Sequence, residues 1–214
     1  MISHNISFDS PEVKAMMLAT RYRREQESTA IAAIKACPNK ARSLELYAGT
    51  GGLTEIYRTY FTNVLTNDIN KEAKTDTHLS ALDFIERYLP SEVYSEKLDL
   101  IDFDCYGSPC KEIQKYFDIR GNFDTPFVLR FSDGKGLWMK RFMPRNETGK
   151  EEIRKAYLIE NEVVLDKIWR RHPELIDYFM HKLAGKHGMV AKRICMVQTK
   201  YLTYTLGAYL FTKI

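Results

Sequence analysis

Three carboxylates and a run of glycines are the residues best suited to chemistry in this sequence. Gly49-Thr50-Gly51-Gly52 follows the short apolar segment Ser43–Tyr47. Glycine lacks a Cβ, so such a stretch turns tightly and lets a ligand approach the backbone closely. A helix that follows would aim its amino end at the same spot. No Lys-Ser/Thr pair follows these glycines, which argues against a phosphate-cradling P-loop. Asp68 ends the run Thr66-Asn67-Asp68. An acid about 20 residues beyond a glycine turn can accept hydrogen bonds from both ribose hydroxyls. The plainer role for Asp68 is a helix cap, and the two roles are compatible. In Ala81-Leu82-Asp83-Phe84, Asp83 is placed to accept from an adenine amino group and Phe84 to pack on the ring. Read alone, these two are a capping acid and a core ring.

The most specific signal is Asp99-Leu-Ile-Asp-Phe-Asp-Cys-Tyr-Gly-Ser-Pro109. Asp102 and Asp104 occupy alternate positions just before a Tyr-Gly-Ser-Pro turn. Strands in a core do not normally collect acids without a use for them. A carboxylate can orient an exocyclic amine while its nitrogen attacks a methyl group, and Tyr106 can stack on the target ring. Such a transfer needs alignment and an unprotonated lone pair, and little else.

Elements that alternate in type must hold these residues. Residues 10–37 read as a helix that starts near Pro11 and stops at Cys37-Pro-Asn-Lys40. Strand-like runs follow at 43–47, 63–69, 78–82, 98–103 and 126–131, with helical segments at 53–61, 84–89 and 109–117 between them. Residues 151–169 and 173–183 read as helical. The runs 189–198 and 202–211 have no helix between them and predict an antiparallel hairpin. Strands alternating with helices imply right-handed crossovers and a mostly parallel sheet. The expectation is an α/β, Rossmann-like fold with seven strands and an antiparallel C-terminal hairpin. Its acids lie at the carboxyl ends of the strands, where open α/β sheets bind ligands.

The chain of 214 residues fits one large domain, here divided into an N-terminal helical segment, 1–42, packed on a main domain, 43–214. No apolar run is long enough to span a bilayer, and the first residues lack the pattern of a secretory signal, so a cytoplasmic location is expected. Cys37, Cys105, Cys110 and Cys195 form no CxxC pair and read as reduced thiols. His172, His181 and His187 lack metal-ligand spacing and read as surface residues near helix ends; no metal is expected. Residues 1–133 hold 16 basic and 20 acidic side chains, net −4, while residues 134–214 hold 16 and 8, net +8. A basic C-terminal part suits a polyanion partner, and it also suits a solvated helix face. Trp138, among Lys and Arg at 136–141, fits either a substrate lid or a surface loop.

On these residues the sequence resembles the class I S-adenosylmethionine-dependent methyltransferases. Glu45-Leu-Tyr-Ala-Gly-Thr-Gly-Gly-Leu-Thr54 is similar to their first motif, and Asp68 and Asp83 match the second and third motif positions. Asp99–Pro109 resembles the fourth motif of tRNA (guanine-N2) dimethyltransferases, through Asp102, Asp104, Tyr106, Gly107 and Pro109. Cys105 departs, standing where that family has proline. The resemblance implies that Glu45, Tyr47, Gly49 and Gly51 bind S-adenosylmethionine together with Asp68, Ile69, Asp83 and Phe84. It implies that Asp104 and Tyr106 position the amine, with Asp102 in support.

The substrate implied is an exocyclic amine of a base in nucleic acid, RNA before DNA. A specificity-conferring protein partner or self-association would make up for the absence of a recognition domain. A second resemblance, to cytosine-C5 DNA methyltransferases, rests on Leu46–Leu53, on Gly107-Ser-Pro-Cys110 and on Glu160-Asn161. It would make Cys110 a nucleophile and Glu160 its helper. Lys111 after the cysteine and Glu162 after Asn161 break that pattern. A rival from another class is a methyltransferase-like scaffold subunit without catalysis.

Overall fold

The central strands form from short runs whose side chains are buried on both faces of the sheet, while the edge strands keep exposed positions. The computed structural model describes residues 11–90, 97–120, 123–134, 147–159, 171–199 and 204–214. In chain order these form α1 (Pro11–Ala36), β1 (Arg42–Glu45), α2 (Gly52–Tyr60), β2 (Asn63–Thr66), α3 (Ala81–Arg87) and β3 (Leu100–Asp104). There follow α4 (Cys110–Arg120), β4 (Phe127–Asp133), α5 (Glu147–Ala156), α6 (His172–Lys186), β5 (Met189–Gln198) and β6 (Thr205–Lys213). The sheet order is β2-β1-β3-β4-β6-β5. The first four strands run parallel, and β6 is antiparallel to both β4 and β5. The fold is thus Rossmann-like, with a mixed sheet ending in the expected reversed hairpin. Among the described residues no helix is long and apolar enough to cross a membrane.

Six strands form among the described residues, not seven. The expected strand at 78–82 is replaced by one isolated bridge between Asn67 and Thr77. The buried Asn67 side chain does the work of a ladder. Its Nδ2 donates to the carbonyls of Leu46 and Leu79 at 3.2 and 3.0 Å, and its Oδ1 accepts from the Leu79 N–H and Thr77 Oγ1. These bonds satisfy the backbone that a strand would otherwise have paired.

Alternation along the strands sorts side chains to two faces. On β3, Ile101 and Phe103 enter a large core with Phe84, Phe117, Phe127 and Phe179, while Leu100 meets Ala33, Ile34 and Tyr57 under α1 and α2. Asp102 and Asp104 share the Leu100 parity and so also face α1. Phe117, Phe127 and Phe211 form a tight aromatic knot, with centroids 5.1 Å apart for Phe117–Phe211 and Phe127–Phe211.

Gly207 of β6 allows the inner strand to lie against this core. A Cβ there would come within 2.7 Å of the Phe131 ring and 3.1 Å of Met196 Sδ. Gly207→Ala is therefore expected to lower stability by about 1–3 kcal/mol through overpacking. An unchanged urea unfolding midpoint would contradict this packing.

Candidate functional site

β1 pairs Glu45 with Thr66 of β2 on one side and Asp102 of β3 on the other. The chain segments that follow these three residues therefore emerge along one edge of the sheet. After β1 the chain makes a tight turn, closed by the Gly51 N–H on the Ala48 carbonyl at 2.8 Å. Gly49 has φ 53° and Gly51 φ 83°, a left-handed backbone that only glycine adopts cheaply. Asp68 lies against this turn. One carboxylate oxygen accepts the Gly49 N–H at 2.8 Å and the other accepts the Asn70 N–H at 2.8 Å. Each oxygen keeps a lone pair for a ligand hydroxyl. Ile69, beside it, is 69% exposed, an apolar surface at the same edge. Space is open around Gly49, where an added Cβ would meet nothing within 4 Å.

Other expected cofactor residues sit differently. Glu45 is buried beneath the turn and accepts the Thr54 hydroxyl at 2.5 Å, so it braces α2 against β1 and does not line the edge. Burial, and next the neighbouring Asp102, push its carboxyl up to about 8. Tyr47 is half-buried and packs on the main core. Asp83 belongs to the cap of α3: its N–H and carboxylate both bond Ser80 Oγ, and it pairs with Arg87 at 3.3 Å. Phe84 is fully buried and stacks on Tyr88, at 5.6 Å, so its ring faces the core and offers no surface to a nucleoside.

The two acids of β3 have separate fates. Asp102 has no exposed surface. Arg130 Nη1 lies 2.7 Å from both of its oxygens, and Tyr57 donates its hydroxyl to it. Burial pushes Asp102 up and Arg130 opposes that shift. Burial alone would lower the Arg130 guanidinium, but Asp102 and Asp104 hold it well above its ordinary value. Asp102 is thus held inside the sheet, where it fixes Arg130. Asp104 stands one residue pair further along, at the sheet edge. Its Oδ2 lies 3.5 Å from Arg130 Nη1 and accepts Gln26 Nε2 of α1 at 2.7 Å. Its Oδ1 is buried with no hydrogen-bond partner among the described residues.

Beyond Asp104 the turn is anchored from behind. Ser132 Oγ donates to the Cys105 carbonyl at 2.8 Å, and Cys105 Sγ to the Ser132 carbonyl at 3.6 Å. Gly134 packs so closely that a Cβ would fall 2.3 Å from the Tyr106 carbonyl oxygen. The Tyr106 ring is 89% exposed, and its carbonyl accepts the Tyr204 hydroxyl at 3.3 Å. Tyr204 also packs on Tyr22 of α1, centroids 5.4 Å apart.

On the opposite face of the sheet a second network fixes the same turn. Asp133 accepts from Ser108 Oγ at 3.1 Å and from the Tyr157 hydroxyl at 2.7 Å. That hydroxyl also meets His172 Nε2 at 2.9 Å, and His172 Nδ1 meets Thr205 Oγ1 at 2.9 Å. His172 is thus a core residue, not a surface one. Cys110 is buried in the first turn of α4 with its thiol toward Asp133; burial, then Asp133, hold it well above its ordinary pKa. A sealed, protonated thiol does not suit nucleophilic attack. Glu160, Asn161 and Trp138 lie outside the described residues.

Sequence reasoning missed Gln26, Tyr22, Tyr204 and Arg130. Only Arg130 carried a signal, as a charge inside an apolar strand.

Comparison with protein-family profiles gives no match, and comparison with curated proteins gives none. Solved structures do share the fold. A putative hemolysin from Streptococcus thermophilus aligns with a TM-score of 0.54 at 13% identity, over 88% of this chain and 65% of that one. The N-methyltransferase NodS from Bradyrhizobium japonicum aligns at 0.52 and 10% identity, over 97% of this chain and all of that one. The methyltransferase domain of bacterial CtHen1 aligns at 0.52 and 11% identity, over 89% and 98%. NodS is also known in complex with S-adenosyl-L-homocysteine, and that structure aligns at 0.50. The six strands in their mixed order are therefore the fold of known methyltransferases.

The state of Glu45 gives a pH signature. Between its ordinary value of 4.5 and about 8, the folded chain keeps a proton that the unfolded chain has lost. Its contribution to stability accordingly falls as pH rises across that window, by at most about 1.4 kcal/mol per pH unit. Glu45→Gln should flatten this decline in urea midpoints measured at several pH values. An identical slope in both proteins would refute the assignment.

Proposed function

We propose that this chain is an S-adenosylmethionine-dependent methyltransferase acting on an exocyclic amine of a nucleobase, in RNA before DNA. One observation carries the reading: a left-handed glycine turn tied to Asp68 opens at the same sheet edge as Asp104. The residues fit the cofactor. Backbone at Gly49 and Gly51 accepts close approach, Asp68 keeps lone pairs for ribose hydroxyls, and Ile69 offers an apolar face for adenine. When bound, the cofactor supplies an electrophilic methyl group on sulfur.

The chain's own residues handle the acceptor. Asp104 accepts an N–H of the amine and so turns the nitrogen lone pair toward the cofactor's methyl group; the proton that the nitrogen sheds on alkylation would leave along that hydrogen bond to water. Arg130 Nη1, 3.5 Å from that carboxylate, helps to hold it in place. The exposed Tyr106 ring stacks on the base. A base within a duplex would first have to be flipped out. The closeness of Asp99–Pro109 to the tRNA (guanine-N2) dimethyltransferases favours RNA, and the basic C-terminal part suits a phosphate backbone. The division at residue 42, a cytoplasmic site of action, and a protein partner that confers specificity belong to the same proposal.

The test pairs calorimetry with product mapping. The chain should bind S-adenosylhomocysteine and transfer labelled methyl groups to unmodified tRNA transcripts, with a methylated base recovered by nucleoside mass spectrometry. Asp104→Asn should cut transfer by a factor on the order of 10²–10⁴ while cofactor affinity is retained. Loss of both together would remove the assigned role. Cys110→Ser should leave transfer intact, because no covalent adduct to the base is formed; its abolition would restore the cytosine-C5 route.

A further inference from the structure

We infer that Gln26 is a stand-in for the acceptor: its carboxamide occupies on Asp104 the place of the amino group to be methylated, and must swing aside before an acceptor engages. The meaning of Asp104 rests on the proposed function; the covering contact does not. Gln26 Nε2 donates to Asp104 Oδ2 at 2.7 Å. A carboxamide nitrogen is planar, neutral and carries two N–H donors, the same donor set as an exocyclic base amine. The carboxylate beneath it is 90% buried, and its other oxygen has no partner among the described residues. Leaving a buried carboxylate oxygen bare is costly, so the contact with Gln26 satisfies the site only in part. A ligand that also reaches the bare oxygen can outcompete it.

The Gln26 side chain can leave without unseating α1. The helix is held at this level by its backbone: the Gln26 carbonyl accepts Thr29 Oγ1 at 2.9 Å and Arg130 Nη2 at 3.5 Å. Thr29, Ala30, Ala33 and Ile34 anchor the following turns in the interior. One turn earlier, Tyr22 meets Tyr204, which in turn holds the Tyr106 carbonyl. Aromatic surface therefore borders the point that Gln26 covers. A base that displaces the carboxamide would gain ring contacts that Gln26 cannot make. A site closed by its own side chain binds its ligand more weakly, in proportion to the fraction of time it stands open.

Two measurements test this on the full chain. In the first, carbodiimide with glycine ethyl ester labels accessible carboxylates, and peptide mass spectrometry follows Asp104. Gln26→Ala should raise the Asp104 labelling rate about fivefold or more. Gln26→Leu, which keeps the bulk, should stay near the unsubstituted chain and shows that the fold is intact. Equal labelling in the Ala variant and the unsubstituted chain overturns the inference. In the second, KM for unmodified tRNA transcripts should fall about three- to fivefold in Gln26→Ala with kcat unchanged. A raised KM would make Gln26 an acceptor contact and overturn it. If labelling rises while neither protein methylates tRNA, the covering role of Gln26 stands and the nucleic-acid reading fails.

Discussion

At the centre of the sheet, Arg130 and Asp102 face each other with no exposure to solvent. Taking two such ions out of water costs several kcal/mol each, and only saturated hydrogen bonding offsets it. Around Arg130 of β4, three elements provide that saturation. β3 supplies Asp102, α2 supplies Tyr57, and α1 supplies Thr29 Oγ1 and the Gln26 carbonyl. The pair therefore sets where α1 crosses the sheet, and through α1 what covers Asp104. It also fixes the local charge. With Asp102 and Asp104 beside a single guanidinium, a third nearby anion is disfavoured, in accord with the raised pKa of Glu45.

The two faces of β3 and β4 divide the labour. Residues of one parity, Asp102, Asp104, Arg130 and Ser132, build the polar cluster under α1. Residues of the other parity, Phe103, Phe131 and Asp133, belong to the opposite side, where Asp133 ties the turn after β3 to Tyr157 and, through it, His172. The Tyr106 turn is thus gripped from both faces of the sheet while its ring stays in solvent. Rigid backbone beneath an exposed aromatic ring is a sound base for positioning a planar ligand.

Much of this was legible in the sequence because it is local. The glycine turn, the acid closing β2 and the acids closing β3 each announce themselves within a few residues, and strand–helix alternation predicts the edge they share. What escaped is what depends on distance or burial. Gln26 and Asp104 are 78 positions apart, and nothing in either segment points to the other. Glu45, Asp83 and Phe84 carry the residue types the motifs require, while the burial of Glu45 and Phe84 and the capping contact of Asp83 are set by packing that motifs do not encode. The missing seventh strand is the work of Asn67, whose side chain takes over backbone pairing that a pattern of apolar residues would assign to a ladder. His172 looked polar and peripheral until Tyr157 and Thr205 gave both ring nitrogens a partner inside the core.

β6 follows β5 in the chain yet lies inside it, between β4 and β5. The inner strand is synthesised after its outer neighbour. Until it docks, β4 presents a raw edge and β5 has nothing to pair with, a state open to pairing with other chains. A chain in which β6 has not yet docked would hold the parallel half of the sheet ready and its seam unclosed.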